Sequence, residues 1–108
     1  MNLVLLVISI FSQGQVQPAI PQPIQEIIEE IKSEPVRNPP AIVIEYLYEK
    51  DTVFYVPGFC CDQQSLLYDM DGQVICNPDG GFSGIGDDRC SDFFDTRENE
   101  KVVWRDPR

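Results

Sequence analysis

The spacing of apolar residues changes along the chain, and each change predicts a different element. Leu3 to Phe11 is a continuous apolar run broken only by Ser9, too short for a membrane span, which needs about 20 such residues. Ile24, Ile27, Ile28 and Ile31 then recur at i, i+3, i+4 and i+7, with Glu26, Glu29, Glu30 and Lys32 between and beyond them. That is a helix with one apolar stripe. Pro23 suits its first turn, and Glu34-Pro35 ends it, because a residue before proline avoids the α region. So short a helix does not persist alone. Its stripe must dock, each isoleucine contributing ~1.5–3 kcal/mol when fully buried.

From Ile42 the period falls to two. Ile42, Ile44, Tyr46 and Tyr48 alternate with Val43, Glu45 and Leu47, a strand rich in β-branched and aromatic residues. Glu49-Lys50-Asp51 is a polar turn, Thr52 to Val56 the returning strand, and Pro57-Gly58 its end. Leu66-Leu67-Tyr68 and Gln73-Val74-Ile75-Cys76 flank Asp69-Met70-Asp71-Gly72, and Asp-Gly is a strong hairpin signal. Five of the seven glycines lie between positions 72 and 86, which makes that region loop. Val102-Val103-Trp104 forms a last strand or packs over the core. The expected fold is a small α+β domain, one amphipathic helix on a short antiparallel β-meander, occupying residues 24–108.

The first apolar run precedes Ser12-Gln13-Gly14, small residues three and one positions before a cut. Residues 1–14 therefore read as an export signal, although no Lys or Arg precedes the run. Cleavage would leave a chain starting at Gln15, with no cysteine near the site to take a lipid anchor. Residues 15–23, with prolines at 18, 21 and 23, read as an extended tether. An exported chain meets an oxidising compartment, where disulfides form. A domain this small gains from them what a limited core does not supply.

Four cysteines serve that purpose: Cys60, Cys61, Cys76 and Cys90. Adjacent cysteines rarely bridge each other, because the ring strains the intervening peptide. Two connectivities follow, Cys60–Cys76 with Cys61–Cys90, or Cys60–Cys90 with Cys61–Cys76. Either ties the end of the first hairpin to both ends of an acidic loop. A four-thiolate zinc site is the competing reading, but it usually shows paired C-x-x-C knuckles.

Net charge is −10, and residues 62–95 hold eight aspartates against one arginine, a local −7. Nucleic acid is excluded as a partner, since it needs clustered Lys and Arg, and an anionic membrane is disfavoured for the same reason. Basic protein surfaces and cations are the complements. No histidine is present, which removes the commonest general base. Ser65, Ser83 and Ser91 have no base motif beside them, and a core this small leaves little room for a substrate cleft.

The loop itself supports three chemistries unequally. Gly80-Gly81-Phe82-Ser83-Gly84-Ile85-Gly86 lacks the Gly-Lys-Ser/Thr ending of a phosphate loop. Asp69, Asp71, Asp87 and Asp88 are hard oxygen donors suited to calcium. The EF-hand register nevertheless fails: with Gly72 sixth, Leu67 falls first and Pro78 twelfth. The plainest reading is a turn-rich connector whose Asp and Asn side chains cap their own backbone.

Glu34-Pro35-Val36-Arg37-Asn38-Pro39-Pro40-Ala41, Tyr55-Val56-Pro57, Cys60-Cys61-Asp62 and Leu67-Tyr68-Asp69 occur in that order. They lead to Ile75-Cys76-Asn77-Pro78-Asp79-Gly80-Gly81-Phe82-Ser83-Gly84 and then Gly86-Asp87 to Cys90-Ser91-Asp92-Phe93. On these blocks the chain resembles a domain of unknown function found in small exported proteins and lipoproteins of Bacteroidetes. The resemblance implies an envelope or secreted location and brings no activity, ligand or catalytic residue.

The functional expectation is a secreted or periplasmic, non-enzymatic binding module that meets a protein partner. Its contact surface is the cystine-framed loop: Asp79, Gly80, Gly81, Phe82, Gly84, Gly86, Asp87, Asp88 and Arg89. An inhibitor-like module is a sub-case of it. A calcium-dependent structural or adhesion domain is the alternative, and a small carboxylate hydrolase a third.

Overall fold

A computed structural model describes residues 20–60 and 62–108. The export signal at 1–14, the start of the tether (residues 15–19) and the pairing of Cys61 lie outside the described residues. Helix α1 (Gln22–Lys32) takes Gln22 and Pro23 from the stretch read as tether. The Pro21 carbonyl accepts the first helical amides, from Ile24 and Gln25, at 3.0 and 2.9 Å. Pro23 lacks an N–H where none is needed. Ile24, Ile28 and Ile31 are buried and Ile27 is half-buried, as the stripe requires.

The strands are β1 (Ile42–Tyr48), β2 (Asp51–Val56), β3 (Leu66–Tyr68), β4 (Val74–Cys76) and β5 (Glu98–Arg105). They form one antiparallel sheet in the order β4-β3-β2-β1-β5. The expected meander is β1 to β4. Val102-Val103-Trp104 is a true strand within β5, which returns along β1 and places Trp104 opposite Val43. A four-residue helix α2 (Phe93–Thr96), absent from the sequence reading, leads into it.

Both faces of the sheet are covered. On one, Ile24, Ile28 and Ile31 of α1 pack on Val43, Phe54 and Val56, with Ala41 beside them. On the other, Tyr46, Tyr48, Val53, Tyr55 and Leu67 pack against Cys76, Cys90 and Phe93. The second layer is thus the connector that follows β4. Its keystone is Phe93, fully buried, with ring centroids 5.4, 5.2 and 5.8 Å from Tyr46, Tyr48 and Tyr55. Arg97 closes the edge of this cluster, 5.2 Å over Tyr46 and 4.9 Å over Phe94.

The disulfide pairing differs from both expected connectivities: Cys76 bonds Cys90, with Cα atoms 6.2 Å apart. Cys76 ends β4 and Cys90 lies just before α2, and both are buried on the same sheet face. The bridge therefore joins the two ends of the loop to each other, not to the first hairpin. Cys60 is disulfide-bonded as well. No described cysteine is a free thiol, which overturns the four-thiolate zinc reading.

Arg108 is locked onto the end of α1. The Arg108 guanidinium donates to the Lys32 and Glu34 carbonyls at 3.1 and 2.8 Å, satisfying the carbonyls left open at the C-terminus of α1. Asp106, buried, accepts from Arg108 at 2.8 Å, and that guanidinium holds its carboxyl below the usual carboxylate range. No helix among the described residues is long and apolar enough to cross a membrane.

Candidate functional site

The loop between Cys76 and Cys90 is built from the backbone outward. Asn77 and Asp87 clasp its neck: the Asp87 amide donates to the Asn77 carbonyl at 3.0 Å and the Asn77 amide to Asp87 Oδ2 at 3.1 Å. Gly86 crosses this neck at φ 69°, and a Cβ there would overlap the Asn77 carbonyl oxygen. No side chain fits.

Inside the neck, Gly86 donates to the Gly80 carbonyl at 3.0 Å, Gly80 to Gly84 at 3.2 Å, and Gly84 to Gly81 at 3.3 Å. The last bond closes a four-residue turn with Phe82 and Ser83 at its centre. Fully buried Ser65 fixes the turn to the sheet, its amide donating to the Asp79 carbonyl at 2.9 Å and its hydroxyl accepting from the Asp79 amide at 3.1 Å.

The aspartates divide into those that build the loop and those that face water. Tyr55 donates its hydroxyl to Asp79 Oδ1 at 2.8 Å, and Tyr48 to Asp92 Oδ1 at 2.7 Å. Burial, and then the hydrogen-bonded carboxylate, raise both phenols above their ordinary value. Asp87 accepts the Asn77 and Arg89 amides, and Asp69 those of Asp71 and Gln73. Self-capping, the plainest expectation, describes these well. Asp88 is exposed, in left-handed backbone at φ 62°. Arg89 donates to the Ile75 carbonyl at 2.6 Å and pairs with Asp87, so its cation is committed within the loop.

The four expected calcium donors do not converge on one cavity. Asp69 and Asp71 line an open groove of about 470 Å³ with Glu49 and Asp51, whose walls include neither Asp87 nor Asp88. Among the described residues no group of three or more His, Cys, Asp or Glu side chains is placed to share a metal ion.

What the loop displays is apolar. Phe82 is 98% exposed and Ile85 57%, on a turn closed by the Gly84–Gly81 bond and hydrogen-bonded at its base. An exposed ring held this way is a ready anchor for a pocket on another surface. Ile85 was missing from the expected contact residues; an isoleucine inside a glycine-rich turn was the available signal.

A comparison with curated proteins finds no match, and neither does one with solved structures. The family comparison does: residues 29–106, from mid-helix α1 through β5, match the Domain of unknown function (DUF6970), and the chain belongs to that family.

Proposed function

We propose that the chain is an exported, non-enzymatic contact module that binds protein through the loop from Asn77 to Cys90. The observation that carries this reading is Phe82, almost wholly exposed at the tip of a disulfide-closed, hydrogen-bonded turn. Burying an apolar ring is favourable, and a rigid loop loses little entropy when it does so. The acidic surround, −7 over residues 62–95, favours a partner with a basic rim. Export is supported by the apolar run ahead of Gly14 and by disulfides, which persist outside reducing compartments. The resemblance to small exported proteins of Bacteroidetes agrees with it.

The test is capture from an envelope extract on the immobilised chain, with Phe82→Ala in parallel and each arm repeated with calcium chelated. A partner held by the native chain and lost by Phe82→Ala supports the reading. Equal capture by both chains refutes it. Capture lost only on chelation would favour the calcium-dependent alternative.

A further inference from the structure

We infer that Cys60 and Cys61 bond to each other, and that this pair is a thiol-reducible redox site, separate from the buried bridge that holds the fold. Elimination assigns the partner. The chain has four cysteines. Cys76 and Cys90 are bonded to each other, and Cys60 is disulfide-bonded. Within one chain only Cys61 is left to take it. The strain that argues against pairing neighbours then becomes a property of the bond.

Consecutive Cα atoms lie about 3.8 Å apart across a trans peptide, whereas disulfides usually span about 4.4–6.8 Å. A bond between neighbours is therefore strained, and strain makes it easier to reduce. It is also a poor staple. A disulfide stabilises chiefly by closing a loop in the unfolded chain, more for a longer loop. Cys76–Cys90 spans a separation of 14; a bond between neighbours encloses nothing.

Exposure divides the two bridges in the same way. Cys76 and Cys90 are 2% and 5% exposed, within the core of the tyrosine face. Cys60 is exposed and lines a groove of about 440 Å³ with Asn38, Gln63 and Asp79, so a thiol has an approach to it. Accessible, strained disulfides are the labile ones.

The co-reactant is a thiol. Its thiolate attacks one sulfur of the pair, forming a mixed disulfide and expelling the other cysteine as a thiolate. A second thiol attacks the mixed disulfide and releases the remaining cysteine. Two thiols are thereby oxidised to a disulfide, and the pair gains two electrons and two protons.

Chymotryptic mapping of the unreduced full exported chain, with any free thiols blocked first, tests the pairing. Cleavage at Leu67 or Tyr68 separates Cys61 from Cys76. The peptide holding Cys60 and Cys61 should come away alone, lighter by two hydrogens than after reduction. Finding it linked to Cys76, to Cys90 or to a second chain overturns the inference. The native chain is then equilibrated in graded ratios of reduced to oxidised glutathione, quenched with acid and labelled. Cys60 and Cys61 should open together, at a ratio at least tenfold below the one that opens Cys76–Cys90. Both bridges opening at one ratio, or Cys60 closed at every ratio, overturns the redox site. Neither measurement involves Phe82, so the contact reading stands or falls separately.

Discussion

Replacing Phe93 by Ala removes the residue on which the second layer is argued to rest. The ring is fully buried and is surrounded by Tyr46, Tyr48, Tyr55 and Phe94, all with centroids within 5.0 to 5.8 Å. Transfer of the side chain out of water accounts for up to ~3 kcal/mol. The lost edge-to-face contacts, at ~0.5–1.5 kcal/mol per pair, and the cavity add to that. Phe→Ala substitutions in cores cost ~3–5 kcal/mol, and a value near 4 is expected. That is most of the stability of a small domain, which lies toward the lower end of ~5–15 kcal/mol. Urea unfolding read by circular dichroism and by the single tryptophan, Trp104, gives the number. Phe93→Leu, which fills most of the cavity but loses the ring contacts, should cost clearly less than Phe93→Ala. Phe82→Ala, on the exposed ring, should stay within ~0.5 kcal/mol of the native chain. A Phe93→Ala loss below ~1 kcal/mol would mean that the connector does not pack on the sheet.

Three further outcomes follow from the same contacts. All four tyrosines are raised above their ordinary value, each chiefly by burial. Their contribution to stability is complete below the unfolded value of about 10 and is lost as pH rises through the native ones. Tyrosinate absorbance should therefore appear only with alkaline unfolding, not before it. Asp106 has the opposite sign: its lowered carboxyl stabilises above the unfolded value near ~3.9 and loses that as pH falls through the native one. Acid unfolding of Asp106→Asn should be correspondingly flatter. Gly86→Ala meets the Asn77 backbone, whereas a Cβ on Gly84 has nothing within 4 Å. Melting curves should show Gly84→Ala losing only the ~1–2 kcal/mol of its left-handed backbone, and Gly86→Ala losing clearly more.

Elements carried by local periodicity were legible in the sequence. The isoleucine stripe of α1, the alternation of β1 and the Asp-Gly hairpin each satisfy a rule within a few residues, and each stands where the pattern puts it. β5 was only half visible: its first half, Glu98-Asn99-Glu100-Lys101, is exposed and polar and is held by pairing with β1, a long-range fact. The second layer was invisible for a similar reason. Phe93 sits among Ser91, Asp92 and Asp95 with no repeat around it, and only the aromatic face of β1 and β2 gives it a place.

Cysteine pairing failed because adjacency in sequence was weighed, whereas nearness across the sheet face decided it. At the candidate site, composition identified the glycine-rich acidic loop but treated its aspartates alike. Their separation into Asp79, bound to Tyr55, and Asp88, facing water, depends on which face the tyrosines take.

Native-state hydrogen exchange across residues 77–90 of the oxidised chain tests the displayed loop most directly. The amides of Gly80, Gly86 and Asp87 donate within the loop and should be protected on the scale of the sheet amides, with the Phe82 ring still open to solvent. Exchange of those amides at unfolded-chain rates would contradict the account, leaving Phe82 on a slack connector with nothing pre-formed to offer a partner.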